Sequence, residues 1–274
     1  MLSLLPNISF SRFISDASLA SLKNVRNFFN EKPLTGKEAE KYLRETNKSF
    51  LDYYYLGILF FENNKTKLAV EYFTKSIKKK DDYYATYLSR AYSYYLLKKI
   101  TLGMRDLDLI IKNANTEYLI GMAYYYKGLI QSENPYKYGG CDKATQSFNK
   151  ALIFKLIRPE ILYQIAFCNS SNYQVAMEKI NQAIQLATGK DGQTKYFLLK
   201  GDILYRGGLY QKALETYKIT LQSIKSNNLW YQEVTEKIEA TQQRILLNNM
   251  QKRLLNKVKS YCVFSGNGMV CFEK

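Results

Sequence analysis

The stretch Lys200–Leu221 reads KGDILYRGGLYQKALETYKITL, and its spacing decides the fold. It is a helix-forming run that sets two small residues, Gly201 and Ala213, beside two large ones, Leu204 and Tyr217. Small residues let helices approach closely, and large ones fill the grooves that remain. We therefore expect the glycine and the alanine to be contact points of a helical hairpin.

Nearly the same pattern occurs far upstream in LGILFFENNKTKLAVEYFTKSI, residues Leu56–Ile77. Here Gly57, Phe60, Ala69 and Phe73 have the same mutual distances, and the two stretches match without a gap. The repetition predicts that one structural unit occurs more than once in the chain.

Three looser copies lie between these two, one with four extra residues in a Pro-Gly-Gly turn and one with two fewer residues. The small residues that open the five copies are Gly57, Ala91, Gly128, Ala166 and Gly201, at intervals of 34 to 38 residues. One hairpin cannot bury its own apolar face, so the copies must stack. In the stack, we expect the large residues to fill the groove between one hairpin and the next. The alternative is a set of unrelated amphipathic hairpins with chance placement of Gly and Ala.

The repeated motifs resemble the tetratricopeptide repeat (TPR) family. The resemblance rests on L-G-x-x-F…A-x-x-x-F in Leu56–Phe73 and K-G-x-x-L…A-x-x-x-Y in Lys200–Tyr217, and it covers about Leu51–Ser226. The third copy, with YGGCDKA, is slightly similar to the related Sel1-type repeat. The sequence departs from the family where a Trp is usual and where a proline often ends the repeat. These positions hold Tyr53, Tyr87, Tyr124, Leu162 and Phe197 in place of Trp, and Asp81 or Asn115 in place of proline.

The resemblance implies an all-α fold, a right-handed superhelical solenoid of about five TPR-type helical hairpins. We expect an N-terminal helical segment over 1–49, the repeat array over 50–228, a capping helix over 229–259 and a β-hairpin tail over 260–274.

The first segment, Met1–Phe29, has the pattern of a mitochondrial presequence. It carries Arg12, Lys23 and Arg26 against one acid, Asp16, with serine-rich spacing and an apolar stripe. The alternative is an ordinary first helix that packs onto the array. We therefore expect a mitochondrial location if this segment is a presequence, and a cytoplasmic one otherwise.

The segment after the fifth copy has apolar residues near helical spacing and Glu and Lys on the other side. These apolar residues are Trp230, Val234, Ile238, Ile245 and Leu254. We expect a capping helix that shields the last face of the array. The alternative is an amphipathic helix that binds a partner.

The tail YCVFSGNGMVCF has two β-rich runs around Ser265-Gly266-Asn267-Gly268, which predicts a tight hairpin. This turn would place Phe264 opposite Met269 and Cys262 opposite Cys271. The two cysteines could form a disulfide in an oxidising compartment, and in a reducing one they are small apolar residues, which is the interpretation we favour. A lone two-stranded hairpin is marginally stable, so it should pack on the array or pair with another chain.

Composition argues against an enzyme. Histidine is absent, which removes the commonest general base and most zinc and haem ligation. Cys141, Cys168, Cys262 and Cys271 lack the spacing of a metal site, and we expect free thiols. We predict no catalytic residue, no metal, no cofactor, no small-molecule substrate and no transmembrane segment.

The net charge of +16 favours acidic partners, RNA or an anionic membrane surface. The alternative is that an A/T-rich genome enriches Lys, Asn, Tyr and Ile together, because the lysines are scattered along the chain.

In the TPR family, the first helices of successive repeats line a concave groove that binds a peptide or a helix. Transfer by repeat register gives ten groove positions: Tyr54, Ile58, Leu88, Tyr92, Tyr125, Leu129, Tyr163, Phe167, Leu198 and Asp202. An aromatic wall suits an amphipathic helix or an extended apolar segment. The alternative is that several of these tyrosines pack within the array or against the chain's own tail. No copy has the Lys and Asn pair with which chaperone-binding members clamp a carboxylate.

Taken together, the sequence predicts a non-enzymatic scaffold or assembly subunit that docks a protein partner, within a larger complex. The alternative is a basic helical-repeat protein associated with RNA, a ribosome or an organelle complex.

Overall fold

The structure is a computed structural model, and it describes residues 25–29, 34–45, 49–133, 135–187, 190–265 and 268–271. Over these ranges the regular structure is helical apart from one short β-hairpin near the C-terminus.

The helices follow one another along the whole described chain. They are α1 (Gly36–Glu45), α2 (Phe50–Glu62), α3 (Thr66–Lys79), α4 (Tyr84–Leu96), α5 (Ile100–Asn113), α6 (Glu117–Glu133), α7 (Pro135–Tyr138), α8 (Gly140–Ile153), α9 (Pro159–Cys168), α10 (Tyr173–Leu186), α11 (Lys190–Arg206), α12 (Tyr210–Ser223) and α13 (Tyr231–Tyr261). The strands are β1 (Cys262–Ser265) and β2 (Gly268–Cys271).

The chain forms two compact units, Met1–Gln164 and Ile165–Lys274. The first contains the hairpins α2–α3, α4–α5 and α6–α8. The second contains the hairpin α11–α12, which packs against α13. The predicted all-α repeat of helical hairpins, with a capping helix and a terminal β-hairpin, is confirmed. The domain limits given above stay predictions.

Local sequence explains where the helices begin and turn. Ser49 caps α2: its Oγ accepts a hydrogen bond from the Asp52 amide, and the Asp52 carboxylate accepts one from the Ser49 amide. In three hairpins, the turn between the two helices has one residue in the left-handed region. These residues are Asn64 (φ 59°) between α2 and α3, Lys98 (φ 59°) between α4 and α5, and Gly208 (φ 76°) between α11 and α12.

The small residues are contact points between the helices of a hairpin, as predicted. A methyl group added to Gly57 would lie 2.5 Å from the Phe73 ring, and one added to Gly201 would lie 2.3 Å from the Tyr217 ring. A methyl group on Gly103 would lie 3.1 Å from the Ala91 carbonyl oxygen.

The large aromatic residues make a contact that we did not expect. We expected Phe73 and Tyr217 to fill the groove between successive hairpins, and Tyr217 does share a buried cluster with Val234 and Ile238 of the following helix. Each ring lies on the glycine of its own hairpin, because the missing Cβ leaves a hollow that fits a flat ring. Phe148 lies on Gly128 in the same way, 2.5 Å from the position of an added Cβ.

The capping helix is longer than the face that it covers. Val234 and Ile238 are buried in one cluster with Leu198, Ala213 and Tyr217. The 31 residues of α13 span about 46 Å at about 1.5 Å per residue, whereas the 14 residues of α12 span about 21 Å.

The C-terminal part of α13 therefore extends past its support. Leu254, which we expected on the packing stripe, is an exposed side chain, and Ile245 is only half-buried. The expectation of one continuous packing stripe from Trp230 to Leu254 was wrong for this reason.

The cysteines differ from expectation. Cys141 and Cys168 are both disulfide-bonded, so the expectation of free thiols was wrong for these two residues. That expectation came from their spacing along the chain, and spacing does not report which sulfur atoms the fold brings together. The side chains of Cys262 and Cys271 lie outside the described part of the structure, so the expectation for these two residues stays a prediction.

The terminal hairpin has the predicted register. β1 and β2 pair antiparallel, with Cys262 opposite Cys271 and Phe264 opposite Met269. The predicted turn residues Gly266 and Asn267 lie outside the described residues.

Most of the predicted presequence, residues 1–24, also lies outside the described residues. Its end does not: residues 25–28 are helical, and Val25 and Phe29 are buried. Arg26 forms an ion pair with Glu62, at 3.2 Å. The presequence stays a prediction.

We predict that Gly57→Ala lowers the free energy of unfolding by about 1–3 kcal/mol, because the new methyl group collides with the buried Phe73 ring. Urea denaturation followed by circular dichroism measures the change. The matched control is Gly36→Ala, because an added Cβ at Gly36 would lie 3.7 Å from the nearest atom, which belongs to Leu68. This substitution should leave the free energy of unfolding unchanged or raise it slightly. Equal effects of the two substitutions would contradict the ring-on-glycine contact.

Candidate functional site

The ten predicted groove residues lie on the first helices of the hairpins, as the register requires, and most of them are buried. The buried members are Tyr54, Ile58, Leu88, Tyr92, Tyr125, Leu129 and Leu198. These seven positions therefore contribute to packing in the structure, and their role in docking a partner stays a prediction.

Aromatic contacts explain part of this burial. The ring centroid of Tyr54 lies 6.0 Å from that of Phe73 in the same hairpin. It lies 5.4 Å from that of Tyr83, which directly precedes the next hairpin. Tyr92 lies 5.0 Å from Tyr126 on the following first helix. Edge-to-face and offset rings at such distances attract one another beyond the area that they bury. The tyrosines thus join neighbouring hairpins in the first unit.

The other three groove positions are more accessible. Tyr163 is half-buried, and the Phe167 side chain is 48% exposed. Asp202 accepts a hydrogen bond from the Tyr217 hydroxyl at 2.6 Å and forms an ion pair with Lys237 of α13 at 2.8 Å. Burial, and then the Asp202 carboxylate, raise the pKa of Tyr217. Asp202 thus binds the chain's own capping helix.

Sequence reasoning gave partner binding by α13 only as the alternative to capping, and it did not name most of the side chains in an exposed apolar stripe on this helix. Five large side chains in the C-terminal half of this helix are 52% to 63% exposed: Leu246, Leu247, Met250, Leu254 and Leu255. Four of them, all except Leu255, lie within about 100° of the helix circumference at 3.6 residues per turn. The signal was present as a repeat of leucines, but it was assigned to capping because the length of the supporting face was unknown.

The charge around this stripe has one sign. Between Ala240 and Tyr261 the chain has no acidic residue. The same run has five basic residues: Arg244, Lys252, Arg253, Lys257 and Lys259. The apolar stripe is therefore accompanied by cations, a composition typical of helices that bind an acidic or anionic surface.

The described residues contain no group of three His, Cys, Asp or Glu side chains that could hold a metal ion. Among the described helices, none is both long and apolar enough to cross a bilayer. Among the ion pairs of the described residues, Arg90 with Asp106 is the most buried, and it joins the two helices of the second hairpin. Both Asp106 carboxylate oxygens accept hydrogen bonds from the Arg90 guanidinium at 2.8 Å. This arrangement is structural in character.

Solved structures with a similar fold are TPR proteins and pilus biogenesis factors. PilF of Pseudomonas aeruginosa has a TM-score of 0.63 at 15% identity, covering 81% of this chain and 97% of that one. PilW, a type IV pilus biogenesis factor, has a TM-score of 0.64 at 14% identity, with coverages of 81% and 99%. YrrB, a TPR protein with an unusual peptide-binding site, has a TM-score of 0.52 at 12% identity, with coverages of 74% and 100%.

The chain therefore has the TPR fold, and the resemblance read from its sequence is confirmed. No protein-family model and no curated protein matches the sequence. At the identities of these structures the likeness shows the fold alone.

We predict that the protein loses stability between pH 10 and pH 12. Burial raises the pKa of both Tyr83 and Tyr92 to about 12, with Tyr55 adding to the effect at Tyr83. Tyrosines of the unfolded chain ionise near pH 10, so the unfolded state releases protons that the folded state still holds. The free energy of unfolding should fall as the pH rises through this window.

Urea midpoints at pH 8, 10 and 11.5 measure the fall, with tyrosinate absorbance at 295 nm as a second readout. Tyr92→Phe should reduce the fall, whereas Tyr136→Phe, at a fully exposed position, should leave it unchanged. A pH-independent midpoint would show that these tyrosines ionise as freely in the folded protein as in the unfolded chain.

Proposed function

We propose that this chain is a non-enzymatic protein-interaction scaffold or assembly subunit. The observation that carries the proposal is the exposed apolar stripe of α13, defined by Leu246, Leu247, Met250, Leu254 and Leu255. Leaving these side chains in water forgoes about 25 cal/mol for each Å² of apolar surface that a partner could cover. Contiguous exposed apolar surface of this kind marks interaction sites.

The proposed occupant of the stripe is an apolar helix or segment of a partner protein, flanked by Asp or Glu. The reason is charge complementarity, because the run Ala240–Tyr261 carries five cations and no anion. A second copy of the same helix would bring like charges together, which is unfavourable. An acidic partner segment satisfies both the apolar stripe and its cations.

The predicted groove positions are the second docking surface of the proposal. Among them the Phe167 side chain is the most exposed hydrophobic one, and its ring can receive an apolar side chain of the partner. Groove positions of the first three hairpins are buried, so a partner that reaches them must displace packed side chains. We therefore expect docking to depend on Phe167 more than on Tyr54 or Tyr92.

The test compares two triple variants of the full chain. The first, Leu247→Gln, Met250→Gln and Leu254→Gln, removes the stripe and retains helix propensity and charge. The second, Ile153→Gln, Ile157→Gln and Ile219→Gln, changes equally exposed apolar residues outside α13. Cross-linking in the native source, followed by mass spectrometry, identifies the partner segment linked to α13. A peptide of that segment is then titrated against each variant by fluorescence anisotropy.

We expect at least about tenfold weaker peptide binding for the stripe variant and little change for the other, because each lost apolar anchor contributes about 1 kcal/mol or more. Phe167→Ala should weaken binding of a partner that also enters the groove. Cross-links that avoid α13, unchanged affinity of the stripe variant, or binding only to anionic lipid vesicles would overturn the proposed docking mode.

Association with RNA through the basic surface is the second candidate function. It is favoured by the net charge of +16 and by the acid-free run on α13. Binding through phosphate contacts releases counterions, so affinity for a single-stranded RNA probe should fall steeply between 50 and 200 mM salt, by about 100-fold or more if several phosphates are neutralised. A filter-binding titration measures this slope, and a flat response would remove RNA from consideration.

A further inference from the structure

A polar pocket lies in the first unit, between the two helices of the third hairpin, α6 and α8. Its volume is about 180 Å³. Three lysines line it: Lys127 on α6, and Lys143 and Lys150 on α8. No carboxylate is among its lining residues. A pocket with this lining attracts negative charge.

The inner part of the pocket is formed by two buried polar side chains. Gln131 and Ser147 are only 7% and 6% exposed. The Ser147 hydroxyl donates a hydrogen bond to Gln131 Oε1 at 2.6 Å. Since this bond uses the carbonyl oxygen, the Gln131 amide nitrogen keeps N–H donors for another acceptor. The pocket thus presents neutral donors beside its ammonium groups.

The second hairpin shows what fills the equivalent place in another copy of the repeat. By repeat register, Lys127 before Gly128 corresponds to Arg90 before Ala91. Arg90 forms a bidentate ion pair with Asp106 of its own hairpin, with both distances 2.8 Å. Asp106 is itself buried, so this hairpin supplies its own counter-anion.

The third hairpin lacks that counter-anion. The position of Asp106, directly before Leu107, corresponds to Ser147, directly before Phe148. Lys127 instead pairs at 2.6 Å with Asp108, a largely exposed residue of the preceding hairpin. Lys150 lies over the Tyr124 ring at 5.2 Å. The third hairpin thus has a hydroxyl where the second has a buried carboxylate, and each has a cationic side chain beside it.

We propose that this pocket binds an oxyanion, a phosphate group or a carboxylate, which takes the place that the Asp106 carboxylate fills in the second hairpin. Phosphate is the better ligand because it carries more charge and more acceptor oxygens than a carboxylate. The ammonium groups of Lys127, Lys143 and Lys150 supply charge, and the Gln131 amide, which the Ser147 hydroxyl orients, donates to the oxygens. The pocket does not involve the stripe on α13, so a negative result for phosphate binding would leave the proposed function unaffected, and the reverse also holds.

The experiment titrates the full chain with inorganic phosphate at constant ionic strength. Proton–nitrogen NMR spectra follow the Gln131 side-chain amide and the backbone amides of α8. We expect saturable shifts, with phosphate binding several-fold tighter than acetate in a parallel titration. An identical response to added chloride would show only general screening and would overturn the proposal.

Two variants and one control locate the binding. Ser147→Asp rebuilds the ion pair of the second hairpin, so phosphate affinity should fall at least about tenfold. Lys127→Met with Lys150→Met should have the same effect by a different route, which keeps the test valid if the buried aspartate disturbs folding. The control Lys67→Met removes an exposed charge on α3 and should leave affinity unchanged. Unchanged affinity in both pocket variants would place any phosphate elsewhere and overturn the site.

Discussion

The contact on which the structure depends is an aromatic ring lying on a glycine of the opposite helix. Gly57 with Phe73, Gly128 with Phe148, and Gly201 with Tyr217 all show it. Each pair packs the two helices of one hairpin closely against each other. The rest of each hairpin's surface is then free to pack on a neighbour or to face solvent. This division explains why the residue types flanking the motif can drift from copy to copy.

That freedom is visible in the polar residues beside the motif. In the second hairpin Arg90 is neutralised by Asp106, at a site where burial raises the pKa of the aspartate above its ordinary value even though Arg90 lowers it. In the third hairpin the same place holds Lys127 and Ser147, and a pocket remains. The second hairpin thus has a structural ion pair at a place where the third, with a lysine and a hydroxyl, has a candidate ligand site.

A similar logic applies to the end of the array. The last hairpin needs a cover, and Val234 and Ile238 provide it over the first turns of α13. Lys237 adds an ion pair with Asp202, a residue that would otherwise belong to the groove. Beyond this support the helix continues with exposed leucines, so one element is a cap along part of its length and a candidate docking surface along the rest.

The amino-acid sequence by itself determined the repeat, its period, the helical hairpins, and the register of β1 with β2. These follow from the positions of small residues such as Gly57 and Gly201 and from short-range turn chemistry, both of which are local in the chain. Only the tertiary structure decided that Tyr54 and Tyr92 are buried, that Cys141 and Cys168 each take part in a disulfide, and where α13 extends past its support. These outcomes depend on contacts between side chains that are far apart in the chain, and a local sequence pattern does not specify such contacts.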